Sequence, residues 1–181
     1  MKILIDETGI DELIKKIVSG ISVELPLLYN PSIIGIKNRG VFIAQRILKK
    51  LERENGIKLP YGTLDISLYR DDMSEISDFP ILNGSDISFS LKGKDVILVD
   101  DILNSGRTAL AALRSIMDSA RPNSVRLVTL LFNENGREFP IVPDFYGANI
   151  SLAMEEMILI KLKEYDSIDQ ICVTKMEVNP K

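Results

Sequence analysis

Histidine is absent from this chain of 181 residues, and cysteine occurs once. Without histidine there is no imidazole general base, no Ser-His-Asp hydrolase and none of the usual zinc sites. The lone Cys172 excludes an intrachain disulfide, which fits a reducing compartment. No apolar run approaches a membrane span, and no signal-peptide pattern opens the sequence. A cytoplasmic protein without a membrane partner is therefore expected. The formal net charge of −4 speaks mildly against a dedicated nucleic-acid binder. What is present is a globular mixture, 45% apolar and 27% charged, enough for one domain (1–181) with a substantial core.

The chain alternates between helical and strand patterns. Thr8 opens the first expected helix, with Asp11 as a weakened capping box, and Gly20 lies near its expected end. Ile10, Leu13, Ile14, Ile17 and Val18 supply its apolar stripe. Ser32 to Ile36 reads as the first core strand, and Lys37-Asn38-Arg39-Gly40 as a polar turn. A second helix follows, with Ile43, Ile47, Leu48 and Leu51 on one face and a solvated face of Arg46, Lys49, Lys50 and Arg53. Asn55-Gly56 ends it. Leu64, Ile66 and Leu68 alternate with Thr63, Asp65 and Ser67, the pattern of a strand near a sheet edge. From Arg70 to Lys94 the chain is rich in Asp, Ser, Gly and Asn, a long irregular insertion of a kind that is either mobile and functional or disordered. A third helix is expected to turn Leu110, Leu113, Ile116, Met117 and Ala120 inward, and Ser124 to Leu131 to form another strand. Asn133 to Ile150 reads as loop. Met157 to Leu162 and Ile171 to Val173 read as two further strands. The order predicts an α/β fold with a central, mostly parallel sheet flanked by helices.

The most informative stretch is Val96 to Thr108. Four apolar residues run into Asp100 and Asp101, and then through Asn104-Ser105-Gly106-Arg107-Thr108 into a helix. In an open α/β sheet this carboxyl edge is where ligands bind. Gly106 lets the backbone turn tightly, and helix N-terminal amides carry partial positive charge without internal partners. Ser105 and Thr108 add hydroxyl donors, so the turn suits a phosphate. It is not a Walker A loop. The two carboxylates suit sugar hydroxyls, or a magnesium ion held through its waters. A phosphate site beside a diol site describes a ribose 5-phosphate.

Val96 to Thr108 resembles the phosphoribosyl pyrophosphate (PRPP) signature of the type I phosphoribosyltransferases. Within them, Gly35 to Gly40, Asp65 to Asp72, Arg121-Pro122 and Pro143 to Gly147 resemble, in order, the PyrR family of pyrimidine-operon attenuation regulators with uracil phosphoribosyltransferase activity. The resemblance runs from about Ile33 to about Lys163. It implies a type I phosphoribosyltransferase-like fold with a small hood, built from roughly 133–150 plus terminal segments, and a flexible loop at roughly 69–93. It implies that Asp100 and Asp101 hold the ribose hydroxyls and that Asn104, Ser105, Gly106, Arg107 and Thr108 hold the 5-phosphate. Lys37, Asn38, Arg39 and Gly40 become the pyrophosphate loop. Arg70 and Asp71 open the closing loop, Arg70 reaching the pyrophosphate. Asp100, Asp101, Arg70 and Arg39 are then the catalytic set. Arg137, Asp144, Phe145 and Tyr146 are the base-side candidates. Mg2+ is the implied cofactor, carried by PRPP with Asp100 and Asp101 near it. The implied partners are PRPP, uracil and UMP, in a homo-oligomer of at least two chains.

The sequence also departs from the family. RNA-binding members carry Arg and His on the N-terminal helix and in a loop reading roughly Arg-Gly-His-Arg-Glu-Leu. Here the helix offers Lys15 and Lys16 among Asp6, Glu7, Asp11 and Glu12, and the loop reads Glu134-Asn135-Gly136-Arg137-Glu138-Phe139. RNA binding is therefore expected to be weak or absent. Two alternatives stand beside the uracil enzyme. One is an RNA-binding attenuation regulator with little activity. The other is a transferase for another base, since Val142-Pro143-Asp144 replaces the usual Arg-Ala-Asp.

Overall fold

The computed structural model describes residues 1–67, 84–153 and 155–175. Its elements are β1 (Lys2–Ile5), α1 (Glu7–Glu24), β2 (Ser32–Ile36), α2 (Arg39–Asn55), β3 (Tyr61–Leu64), β4 (Asp95–Leu103) and α3 (Arg107–Ser119). Then come β5 (Ser124–Asn133), β6 (Phe145–Ile150), β7 (Glu156–Lys161), the single turn α4 (Lys163–Asp166) and β8 (Gln170–Lys175). Five strands form a parallel sheet in the order β3-β2-β4-β5-β6. A separate antiparallel sheet, β1-β8-β7, pairs the first strand with the last two described strands.

The hydrophobic pattern explains the layers. β2 and β4 are buried on both faces, as central parallel strands must be. Ile97 and Val99 of β4 pack with Ile10, Ile14 and Ile17 of α1 and Ile43 and Ile47 of α2 on one face. Val96 and Leu98 pack with Ala112 and Ile116 of α3 on the other. Each such aliphatic side chain contributes about 1.5–3 kcal/mol of burial.

Several expectations shift. Asp6, not Thr8, caps α1, its Oδ1 accepting from the Gly9 N–H at 2.9 Å. The helix runs past Gly20, where a Cβ would stand 2.8 Å from Cδ1 of Phe145; the glycine admits a ring rather than ending a helix. Asp11 is no capping residue but pairs with Lys50 at 2.7 Å and Lys15 at 3.0 Å. Lys50 is consequently buried, and Arg46 reaches Glu164 and Asp169, because α2 lies under α1 and α4 rather than facing water. In α3 the sheet-facing residues are Ala109, Ala112 and Ile116, while Leu110 and Met117 are exposed. Small alanines let the helix lie close to the sheet, which rotates the longer chains outward. Residues 145–150 form the sheet-edge strand β6 and not part of the hood. Of the expected loop at 69–93, residues 68–83 lie outside the described residues; beyond them Ile87 and Phe89 pack on the core and Leu91 is buried.

Candidate active site

Parallel strands bring all their carboxyl ends to one edge. From β2 the chain moves outward to β3 and then back across to β4, and α2 and α3 lie on opposite faces. The crevice between the ends of β2 and β4 is thus a topological switch point, where open α/β sheets bind ligands. Lys37 to Gly40 and Asp100-Asp101 flank that crevice from its two sides.

Two glycines bring the flanks together. A Cβ on Gly35 would stand 2.6 Å from the Val41 Cα, so the loop can fold back on its own strand. A Cβ on Gly40 would stand 2.5 Å from the Val99 carbonyl oxygen and 3.0 Å from the Asp100 Cα. The Lys37-Asn38 peptide is cis. Lys37 donates from its backbone N–H to Leu64 at 2.9 Å and from Nζ to the Gly84 carbonyl, with Asp65 3.7 Å away. Asn38 provides no side-chain cap to α2, whose first turn holds no acid, so an anion placed at its amides would meet no opposing charge there. Arg39 makes two bonds to Asp166 of α4, Nε to Oδ2 at 3.2 Å and Nη2 to Oδ1 at 2.8 Å. It also lies over the Tyr165 ring at 5.0 Å.

Across the crevice, Asp100 is 6% exposed and its Oδ1 accepts the Asp101 N–H at 2.9 Å. Asp101 Oδ1 accepts the Ile102 N–H at 2.8 Å. Burial pushes the Asp101 carboxyl above its ordinary range, against the pull of the Ile102 N–H and of Arg39. Such an acid lowers its energy by meeting hydroxyl donors. The turn behaves as its sequence predicts. Gly106 is the N-cap of α3 at φ 90, with no side-chain capping bond and no acid in the first turn. Ser105 Oγ accepts from the Arg107 N–H at 3.3 Å, and the Ser105 carbonyl accepts from the Glu138 N–H at 2.9 Å. Thr108 is half-buried in the first turn. Arg107 is exposed, paired with Glu138 and 5.8 Å from the Phe139 ring, so it braces the 134–144 loop and leaves the cradle to backbone amides.

The base-side candidates divide. Arg137 lies 5.6 Å from the Phe132 ring, which lies 5.4 Å from Tyr146, one continuous stack at the β5–β6 side. Asp144 instead accepts the Leu127 N–H at 2.8 Å near the opposite ends of the strands. Phe145 packs against α1 at Gly20. These two are structural, because β6 is an edge strand of the main sheet. Arg70 and Asp71 lie outside the described residues. Sequence reasoning missed Asp166, which meets Arg39 across a separation of 127 residues. It also missed Asn133, whose one signal is a polar residue ending an apolar strand run, as Asp100 does in β4.

A family model described as a phosphoribosyl transferase domain matches residues 6–158. A bifunctional protein PyrR of Latilactobacillus sakei is 48% identical over 145 residues, 79% of this chain and 80% of that one. Another, from Acetivibrio thermocellus, is 38% identical over 174 residues, 96% of this chain and 94% of that one. Among solved structures, a Trypanosoma cruzi hypoxanthine phosphoribosyltransferase with the product IMP superposes with a TM-score of 0.71 at 21% identity. It covers 98% of this chain and 95% of its own, a likeness of fold.

Proposed function

The chain belongs to the PyrR family of type I phosphoribosyltransferases, and from that membership we propose that it makes UMP and diphosphate from uracil and PRPP. The observation that carries the reading is the backbone contact of Gly40 with Asp100, which sets an anion-binding helix start directly beside two carboxylates. The diphosphate sits at Lys37 to Gly40, the ribose hydroxyls on Asp100 and Asp101, and the 5-phosphate on the Asn104 to Thr108 amides. The C1–O bond breaks with its electron pair leaving on diphosphate. The C1–N1 bond forms, and the proton of N1 passes to the released diphosphate, directly or through water. Positive charge develops at C1, so nearby ionised carboxylates favour the transition state, while Arg39 meets the anionic leaving group. The family resemblance gives Arg70 and Asp71, which lie outside the described residues, a role at the diphosphate.

Magnesium fits this donor set. Among the described residues no third His, Cys, Asp or Glu joins the two carboxylates to complete a protein cage. That suits an ion carried mainly by diphosphate and ribose oxygens, with Asp100 and Asp101 holding its waters. When bound, it supplies charge neutralisation for the leaving group.

RNA binding has little support. Lys15 pairs with Asp11, Lys16 donates to the Gly147 carbonyl at 2.8 Å, and Arg137 donates to the Glu134 carbonyl at 3.2 Å. These cations are engaged within the protein, whereas RNA affinity comes from cations offered to phosphates. Filter binding with a pyrimidine-operon leader RNA is expected to give weak retention; tight, salt-sensitive retention would reverse this. A homo-oligomer accords with exposed apolar side chains such as Val23 near the end of α1 and Leu27 in the turn after it. Among the described residues no helix is long and apolar enough to cross a membrane. Incubating the protein with PRPP, Mg2+ and a panel of bases tests the main reading. UMP is the expected product, and consumption of a different base would replace uracil in it.

A further inference from the structure

In-line displacement at the ribose C1 needs the entering base and the departing diphosphate on opposite sides of the sugar. The pyrophosphate loop follows β2, and the ribose acids lie in the carboxyl-terminal half of β4. The base therefore enters from the β5 side, where Asn104 and Asn133 meet. Asn133 is the last residue of β5 and 4% exposed. Its Nδ2 donates to Oδ1 of Asn104 at 2.8 Å. Its own Oδ1 is buried with no partner among the described residues. Gly136 backs directly onto the pair: a Cβ there would stand 2.2 Å from Asn104 Oδ1 and 2.6 Å from Asn133 Nδ2.

Amide polarity is decided by the network around it. Two arrangements keep the bond. In the one observed, a single carbonyl oxygen of Asn133 is left buried without a partner. With both amides reversed, a buried NH2 with two hydrogens would be left instead. Unpaired buried donors are rarer in native proteins than under-satisfied carbonyl oxygens, and the observed arrangement is the better one. Asn104 is exposed, and its oxygen is already occupied. Among the described residues no hydrogen bond uses its NH2 group, which is left to donate to a ligand.

We infer that Asn133 is a positioning residue that fixes Asn104 as a hydrogen-bond donor to a ring carbonyl of the incoming base. The inference rests on the proposed reading of the site as one that ribosylates a base. A donor at a ring carbonyl also stabilises the negative charge that spreads onto that oxygen as N1 loses its proton. It sets the Asn104 side chain apart from the Asn104 to Thr108 backbone amides, which face the phosphate.

The test is a cycle of protein variants against ligand analogues. Uracil, 2-thiouracil and 4-thiouracil are compared on wild type, Asn133→Asp and Asn104→Ala, since sulfur accepts a hydrogen bond poorly. In wild type one thio analogue should lose about tenfold in kcat/KM, equivalent to about 1.4 kcal/mol. Asn133→Asp leaves only acceptors facing Asn104, turning its NH2 inward and its oxygen to the base. Asn104→Ala removes the donor and leaves the buried Asn133 NH2 without its partner, so it is melted alongside wild type. In both, the thio penalty should shrink to within about twofold, whatever happens to the absolute rate. A thio penalty that persists in full in both variants, or one absent from wild type, overturns the inference. Failure of wild type to consume uracil at all instead overturns the underlying reading, and the inference with it.

Discussion

Gly40 touches Asp100 backbone to backbone: a Cβ on the glycine would stand 3.0 Å from the Asp100 Cα. Two segments far apart in sequence thereby share one crevice, and the loop that meets the leaving group is set by the strand that holds the sugar.

Gly40→Ala should separate them. The carbonyl of Val99, 2.5 Å from the new Cβ, is backbone and must move with β4 or push the loop away. Misplacement of this kind costs about 10²-fold in rate, and overpacking about 1–3 kcal/mol in stability. Steady-state kinetics and urea denaturation check both, and near-wild-type kcat/KM for PRPP would show the contact to be irrelevant.

Asp166→Asn should loosen Arg39. Burial raises the Asp166 carboxyl, but the Arg39 bonds and the Leu162 N–H outweigh it and hold it below the ordinary range. Asparagine keeps an acceptor for Leu162 and loses the charge. We expect a stability loss of about 1 kcal/mol for this half-exposed pair. KM for PRPP should rise about tenfold with a smaller change in kcat, the mark of a weakened ground-state contact.

Asp95 gives a pH dependence. It is buried below the sheet edge opposite the site, and burial alone would raise it. Bonds from Ser124 Oγ, the Tyr29 N–H and Asn123 Nδ2 outweigh that and depress it. With a folded value below the unfolded one, its stabilisation is complete above about pH 4 and disappears as pH falls through the depressed value. Asp95→Asn should cost about 1–3 kcal/mol at pH 7 by leaving donors unpaired. In urea titrations from pH 7 to 3, the gap between variant and wild type should close toward the acid end.

The site's legibility in sequence follows the range of its contacts. Val96 to Thr108 is strand, turn and helix start in consecutive residues, so local pattern carried it whole. Lys37 to Gly40 is equally local. The Arg39–Asp166 and Asn104–Asn133 contacts join distant segments, and no periodicity encodes them. The inward face of α3 was misplaced because apolar size suggests Leu110 and Met117 inside, while close approach to the sheet requires Ala109 and Ala112 there. β6 was hidden by Gly147, which reads as punctuation. In the fold it is a close approach, since a Cβ there would stand 2.6 Å from the Leu130 carbonyl oxygen and 2.7 Å from Leu13 Cβ.

Asp101→Asn, assayed for PRPP-dependent UMP formation with uracil and Mg2+ and melted alongside wild type, tests the central claim most directly. Burial raises the Asp101 carboxyl above its unfolded value, so its ionised form opposes folding. That penalty is absent below about pH 4, grows as pH rises from there toward the raised value and is complete above it. At neutral pH the account predicts a variant that forms UMP at least about 10²-fold more slowly yet melts higher, by about 2–4 °C per kcal/mol recovered. A variant with wild-type turnover would contradict the assignment of this carboxylate to the ribose.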